Sequence, residues 1–236
     1  MKGDRVFPGF ATYRKGNLTL VYRSGMPLLK DIAGATGPLG QPSDLMGRAR
    51  LNIMEPDMVV RPLMHGGLFR HVTGWRFLSA ARSMRELDVS IHLASHGVPT
   101  PEILAVRMTK KGWFYRIEVV SRLVPDAVDL LTYLESPRDD SRELVGKAGA
   151  LIRRIHDLGV YHADLHIKNL LLDNDATLWI LDLDKAHRFD RLPAFMKQLN
   201  VKRFISSVKK WQKKGRIILP AAWELSFRSG YELPEH

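Results

Sequence analysis

Residues 161–184 constrain this chain more than any other stretch. They read Tyr161-His162-Ala163-Asp164-Leu165-His166-Ile167-Lys168-Asn169-Leu170-Leu171-Leu172, then a polar turn at Asp173-Asn174-Asp175, then Trp179-Ile180-Leu181-Asp182-Leu183-Asp184. Two short apolar runs, 170–172 and 177–181, flank the turn, and that pattern predicts a pair of strands. Asp173, Asn174 and Asp175 are thereby accounted for as turn residues. Asp164, Asn169 and Asp182 lie outside the turn, and their types, order and separation ask for a chemical reason.

Phosphoryl transfer supplies one. It asks little covalent chemistry of a protein: an acceptor oxygen held in line with the γ-phosphate, and cations to neutralise the spreading charge. Magnesium takes oxygen ligands and keeps several waters, so one carboxylate, one amide oxygen and the ATP phosphates suffice. Asn169 and Asp182 are the candidate metal ligands, and Asp164 the candidate base that orients the acceptor hydroxyl and accepts its proton. Protein kinases use the same H-x-D-L-x-x-x-N layout followed by an Asp. His162 and His166 suggest a metal site in H-x-D-x-H, but no further ligands stand at characteristic spacing. His162 is instead expected to brace the loop by hydrogen bonds. Asp184 stands where many kinases place a glycine.

A chain of 236 residues, 45% hydrophobic, can bury a proper core as one domain or two small lobes. It has no cysteine, hence no disulfide framework, which fits a reducing compartment. No apolar run approaches twenty residues, and no signal-peptide pattern opens the chain, so a soluble or peripheral protein is expected. The net charge of +11 implies an anionic partner: nucleic acid, an anionic membrane face or a phosphorylated substrate. Basic residues are densest over 197–216.

Residues 19–23 read as a short strand and 25–47 as a long irregular segment rich in Gly and Pro. Two strands follow, 49–54 and 58–63, then a helix over 79–94 stopped by Gly97, Pro99 and Pro101. Residues 102–108 and 113–120 read as a hairpin about Lys110-Lys111-Gly112. Pro125-Asp126 marks a hinge, so an N-terminal lobe of 1–125 and a C-terminal lobe of 126–236 are expected. Leu144, Ala148, Leu151, Ile155 and Leu158 form the apolar stripe of a helix leading into the Asp164 loop. A basic amphipathic helix over 195–210 and a short end segment close the chain. Strands first and helices later predict an α+β fold.

From about residue 45 onward the chain resembles the protein-kinase-like superfamily, and more narrowly the bacterial lipopolysaccharide-core sugar kinases (the Kdo and heptose kinases). The resemblance rests on Val59-Val60-Arg61-Pro62 running into His65-Gly66-Gly67-Leu68, on Arg82-Ser83-Met84-Arg85-Glu86 and on Gly97-Val98-Pro99-Thr100-Pro101. It rests further on His162-Ala163-Asp164-Leu165, on Asn200-Val201-Lys202-Arg203 and on Ser206-Ser207. It implies a bilobal protein-kinase-like fold with a strand-rich N-lobe and a reduced helical C-lobe. Arg61 stands where a kinase's strand lysine holds the α/β-phosphates, and Glu86 would pair with it. Arginine is a departure there, because its planar fork meets phosphate differently from an ammonium. Gly47 falls where a glycine-rich phosphate loop belongs, although it is a single glycine. Arg70 is a further candidate phosphate contact, and Lys168 is close enough to Asp164 to reach a transferred phosphate.

The resemblance implies ATP and Mg²⁺ as cofactors, and phosphorylation of Kdo on Kdo–lipid A or a related lipopolysaccharide-core glycolipid. The setting would be the cytoplasmic face of a Gram-negative inner membrane. There, Lys197, Lys202, Arg203, Lys209 and Lys210 would meet the anionic surface. The Asp182-Leu183-Asp184 sequence lacks the glycine of D-F-G, and no A-P-E-like segment follows, which argues against a protein substrate. Two other readings stay open: a small atypical protein kinase of the RIO or tRNA-linked type, and a catalytically weak kinase-like scaffold. No nucleic-acid partner is expected, since no nucleic-acid motif and no interleaved aromatic platform is present. An aminoglycoside- or choline-type kinase shares the loop, but a cationic acceptor favours an acidic cleft over a basic protein.

Overall fold

The apolar runs expected as a hairpin become the two longest strands, Ile103–Lys111 (β6) and Phe114–Arg122 (β7), joined at Gly112, whose φ of 61° suits the tight turn. They sit inside a seven-stranded antiparallel sheet. The computed structural model describes residues 6–26, 29–43, 51–54, 56–64 and 75–232. The other strands of this sheet are Phe10–Lys15 (β1), Leu18–Arg23 (β2), Gln41–Pro42 (β3), Asn52–Met54 (β4) and Met58–Pro62 (β5). Their order is β1-β2-β6-β7-β5-β4-β3. The expected strands at 49–54 and 58–63 are thus present in shorter form, and β1 is an addition. It pairs with β2 as a hairpin along the outer edge of β6. Its burial is only partial, so its sequence carries little alternation to reveal it.

Alternation along the strands divides the sheet into two faces. One buries Leu20, Met58, Val60, Ala105 and Val120, covered by Ile32 of a short helix, Leu29–Gly34 (α1), and by Leu39. Both cover residues fall inside the stretch read as irregular. The same face holds an ion pair, Arg107 with Glu118, at 2.8 Å and almost fully buried. The two residues oppose each other across β6 and β7. Arg107 also donates to the carbonyls of Ala35 and Gly37, and Glu118 accepts from the Leu39 amide. A buried charge needs hydrogen-bond partners, and those of Arg107 Nη1 and Nη2 and of Glu118 hold residues 35–39 against the sheet. Arg61, one residue beyond Val60, projects from the opposite face.

The sheet and the chain up to Asp88 form one compact unit, together with Glu102–Leu123. The second unit takes Val89–Pro101 and the chain from Val124 onward. The dividing point therefore falls within the helix Ala81–Ser95 (α2) as well as near the Pro125-Asp126 hinge, where Asp126 has a φ of 51°. A linear cut at 125 misses that return.

The second unit is built on Ser141–Asp157 (α4), whose Leu144, Ala148, Leu151 and Ile155 are buried. Before it come Val128–Asp129 (β8) and Leu130–Tyr133 (α3). After it come Val160–His162 (β9), Leu170–Leu172 (β10), Leu178–Ile180 (β11) and Ala186–Arg188 (β12). The chain ends with Ala194–Lys213 (α5) and Trp223–Glu232 (α6). The expected hairpin is β10–β11, pairing Leu170 with Ile180 and Leu172 with Leu178. Its turn is closed by Asp173, whose carboxylate accepts from the amides of Asp175 and Thr177 and from the Trp179 indole. The end segment expected to be short is a helix, α6, lying tight on α4. A Cβ at Gly149 would stand 2.1 Å from the Phe227 carbonyl oxygen, and one at Gly230 would stand 2.0 Å from that of Gly146. Glycine at both positions is what lets the two backbones touch.

Candidate active site

Two chain segments and one helix assemble the loop between β9 and β10. His162 is fully buried and its imidazole ties the segments together: Nδ1 accepts from the Asp164 amide at 3.3 Å, and Nε2 donates to the Leu181 carbonyl at 2.9 Å. Those partners assign the Nε2–H tautomer. Burial pushes the imidazole below its ordinary pKa and keeps it neutral. With both nitrogens committed, His162 braces the loop, as its sequence position suggested, and has no lone pair left for a metal.

The helix is α5. Asn200, 0% exposed, spans the backbone of His162: its Nδ2 donates to the carbonyl at 2.9 Å and its Oδ1 accepts from the amide at 3.0 Å. Two turns along, Ser207 Oγ accepts from the Ile167 amide at 3.1 Å. The same Oδ1 of Asn200 lies 3.2 Å from His156 Nε2, and Tyr231 Oη lies 2.8 Å from His156 Nδ1. One helix face thus grips the loop at both ends.

Within that frame Asn169 Nδ2 donates to the Asp164 carbonyl at 2.9 Å. This commits the amide nitrogen and leaves Oδ1 as the side chain's ligand atom. The Leu181 amide donates to the Asn169 carbonyl at 2.9 Å, which brings Asp182 beside Asn169. Asp182 adopts a left-handed backbone, φ 57° and ψ 56°, uncommon for a residue with a Cβ. The next residues, Leu183–Lys185, turn as a 3₁₀ helix, so Asp184 needs no positive φ and no glycine. Asp184 is itself buried. The donor chemistry of Asn169 and Asp182, one amide oxygen and one carboxylate, fits Mg²⁺, with phosphate oxygens and water filling the other positions. Among the described residues no three His, Cys, Asp or Glu side chains gather as a cage for a metal ion.

Asp164 receives a partner that its sequence did not announce. Lys185 Nζ stands 3.1 Å from Asp164 Oδ2. Burial works to raise the Asp164 pKa, but the Lys185 hydrogen bond and charge, aided by His166, hold it below the ordinary carboxylate value. Asp164 is therefore ionised at neutral pH. Lys168 sits elsewhere: its ammonium lies over the Trp211 ring, 5.2 Å from the centroid.

In the sheet unit, Arg61 Nη2 donates to Glu86 Oε1, joining β5 to α2. Glu86 is buried while Arg61 is less so. Gly47 and Arg70 lie outside the described residues. Of the basic residues expected on one exposed helix, Lys197 pairs with Asp157, Lys209 pairs with Glu224, and Lys210 lies over Trp211. Lys202 and Arg203 are exposed and make no ion pair among the described residues. Lys185, Asn200 and Ser207 went unrecognised as site residues. Asn200 and Ser207 had entered only among the residues that carry the resemblance, without a role at the site.

Comparison with known proteins gives a consistent answer. The family model described as "Lipopolysaccharide kinase (Kdo/WaaP) family" matches residues 56–229. A 3-deoxy-D-manno-octulosonic acid kinase of Vibrio cholerae is 36% identical over 168 residues, 68% of each chain. One of Photobacterium damsela subsp. piscicida is 31% identical over 173 residues, 71% of each. Among solved structures, "WaaP in complex with acyl carrier protein" superposes with a TM-score of 0.59 at 20% identity, covering 88% of this chain and 83% of that one. At that identity the likeness speaks to the fold, which is kinase-like.

Proposed function

The chain belongs to the lipopolysaccharide kinase (Kdo/WaaP) family, and from that premise we propose that it transfers the γ-phosphoryl group of ATP to a hydroxyl of Kdo in a Kdo–lipid A acceptor. The observation that carries this reading is the loop itself. Asp164, Asn169 and Asp182 come together through His162 and Asn200, with Asp164 ionised.

Asp164 orients the acceptor hydroxyl and takes its proton as the oxygen attacks the γ-phosphorus and the bond to the ADP oxygen breaks. Lys185 holds the Asp164 carboxylate in its charged form. Asn169 and Asp182 would hold Mg²⁺, which would supply positive charge to neutralise the transferring phosphates. Arg61, fixed by Glu86, contacts the nucleotide phosphates with a bidentate guanidinium in place of the usual ammonium.

Mass spectrometry of Kdo–lipid A incubated with ATP, Mg²⁺ and the full chain tests the reading. One added phosphate on the sugar is expected, lost in Asp164→Ala and Asp182→Ala while both variants stay folded. ATP turnover without a phosphorylated acceptor, abolished by Asp182→Ala, would keep the kinase and discard the substrate.

Membrane association at the inner leaflet is part of the same proposal. No helix among the described residues is long and apolar enough to cross a membrane. Phe195 and Leu199, 63% and 50% exposed, follow the same face of α5 as Lys202 and Arg203. Apolar residues backed by cations are the composition of a helix that lies in a bilayer interface.

A further inference from the structure

Four cations converge on Trp211. Lys168, Lys210, Lys214 and Arg216 stand 5.2, 5.8, 5.1 and 5.8 Å from the centre of its ring. They come from the loop between Asp164 and Asn169, the last turn of α5, its cap Lys214, and the second residue beyond the cap. The cap makes the gathering possible. Gly215, at a φ of 66°, reverses the backbone so that the Arg216 amide donates to the Trp211 carbonyl at 3.1 Å.

Like charges do not collect without reason. Arg216 pairs with Glu135, whereas Lys168, Lys210 and Lys214 make no ion pair among the described residues. One indole offers its faces to four cations and offsets only part of their mutual repulsion. The cluster is left with surplus positive potential beside a flat apolar ring, a combination that suits an acidic sugar.

Its position ties it to the chemistry. Trp211 follows Ser207 by one turn on the same face of α5, and Ser207 holds the amide of Ile167, the neighbour of Lys168. Lys168 in turn precedes Asn169. The cluster therefore adjoins the catalytic loop, while the nucleotide's phosphates belong with Asn169 and Asp182.

We propose that the Trp211 cluster is an acceptor subsite, binding an anionic group of the acceptor sugar, phosphate or carboxylate, beside the hydroxyl to be phosphorylated. This rests on the kinase reading above and names the part of the site that selects its acceptor.

Lys210→Gln/Lys214→Gln in the full chain tests it, with initial rates measured against Kdo–lipid A and against ATP. The acceptor KM is expected to rise about tenfold, the combined worth of two exposed charge contacts, while the ATP KM stays unchanged. The rise should shrink with an acceptor stripped of its phosphates if phosphate is the bound group, and persist if it is the carboxylate. An unchanged acceptor KM, or an ATP KM that rises in step, overturns the subsite. So does an equal loss of binding to phosphatidylglycerol vesicles without acceptor, which would assign the cluster to the membrane. If the unsubstituted chain phosphorylates no Kdo, titration calorimetry with Kdo–lipid A micelles in the absence of ATP decides separately. Weaker binding by the variant keeps the subsite as the reaction falls, and equal binding removes both.

Discussion

Asp164 owes its charge state chiefly to one neighbour. Burial alone would lift its carboxyl, and Lys185 more than reverses that. Replacing Lys185 with Met removes the largest contributions opposing burial and leaves only the weaker histidine ones, so the Asp164 pKa should rise, and the acid limb of the kcat/KM profile should move to higher pH. Lys185→Arg, which keeps the charge, should leave the limb near its original place. Identical profiles for all three proteins would remove Lys185 from the mechanism. The contrast between Asp164 and Lys185 also marks how far single residues were legible. Asp164, Asn169 and Asp182 could be picked out because phosphoryl transfer dictates their types and spacing. Lys185 could not, since nothing local distinguishes a lysine that reaches back to a carboxylate from one in solvent. Lys168 had the better claim by proximity in sequence, but its side chain lies over Trp211.

Three helices meet at one imidazole. His156 of α4 bonds Asn200 of α5 and Tyr231 of α6, and Arg153, Asp157 and Lys197 are the charges around it. Burial pushes its pKa down from 6.5 to about 4, against the Asn200 hydrogen bond. The folded protein therefore refuses a proton that the unfolded chain accepts. Stability is full above the unfolded pKa and falls as pH drops from 6.5 towards 4. Between pH 7 and 5 this histidine should remove roughly 2 kcal/mol of stability, and the neutral, buried His162 adds in the same direction. Urea unfolding at the two pH values should show that loss, and His156→Gln should flatten it; equal slopes would mean the imidazole already titrates in the fold. At this scale, α2, α4, α5 and the β6–β7 and β10–β11 hairpins were legible, because each carries a clear period or turn signal. The helix α6 was not. It is held by Gly149 and Gly230, where the determinant is a missing side chain.

Across the whole molecule the excess of cations bears on the proposed membrane association, which depends on which of them are exposed. Composition gave the charge of +11 but could not say where it is spent. Lys197 and Lys209 pair with Asp157 and Glu224, acids that Arg153 and Arg228 share, Lys210 by its place at Trp211 is assigned to the acceptor, and Lys202 and Arg203 are left beside Phe195 and Leu199. Each basic residue near an anionic bilayer adds about 1 kcal/mol of attraction, so Lys202→Gln/Arg203→Gln should weaken binding to phosphatidylglycerol vesicles roughly thirtyfold at low salt. The difference between parent and variant should narrow as salt rises, because screening at about 0.15 M already confines a surface charge to about 8 Å. The part carried by Phe195 and Leu199 should survive that screening, and Phe195→Ser/Leu199→Ser should remove it. Co-sedimentation with vesicles over a salt series separates the two contributions. A parent protein that stays in the supernatant at the lowest salt would deny α5 its place at the membrane. The acceptor would then have to be taken up as a dispersed or carried glycolipid.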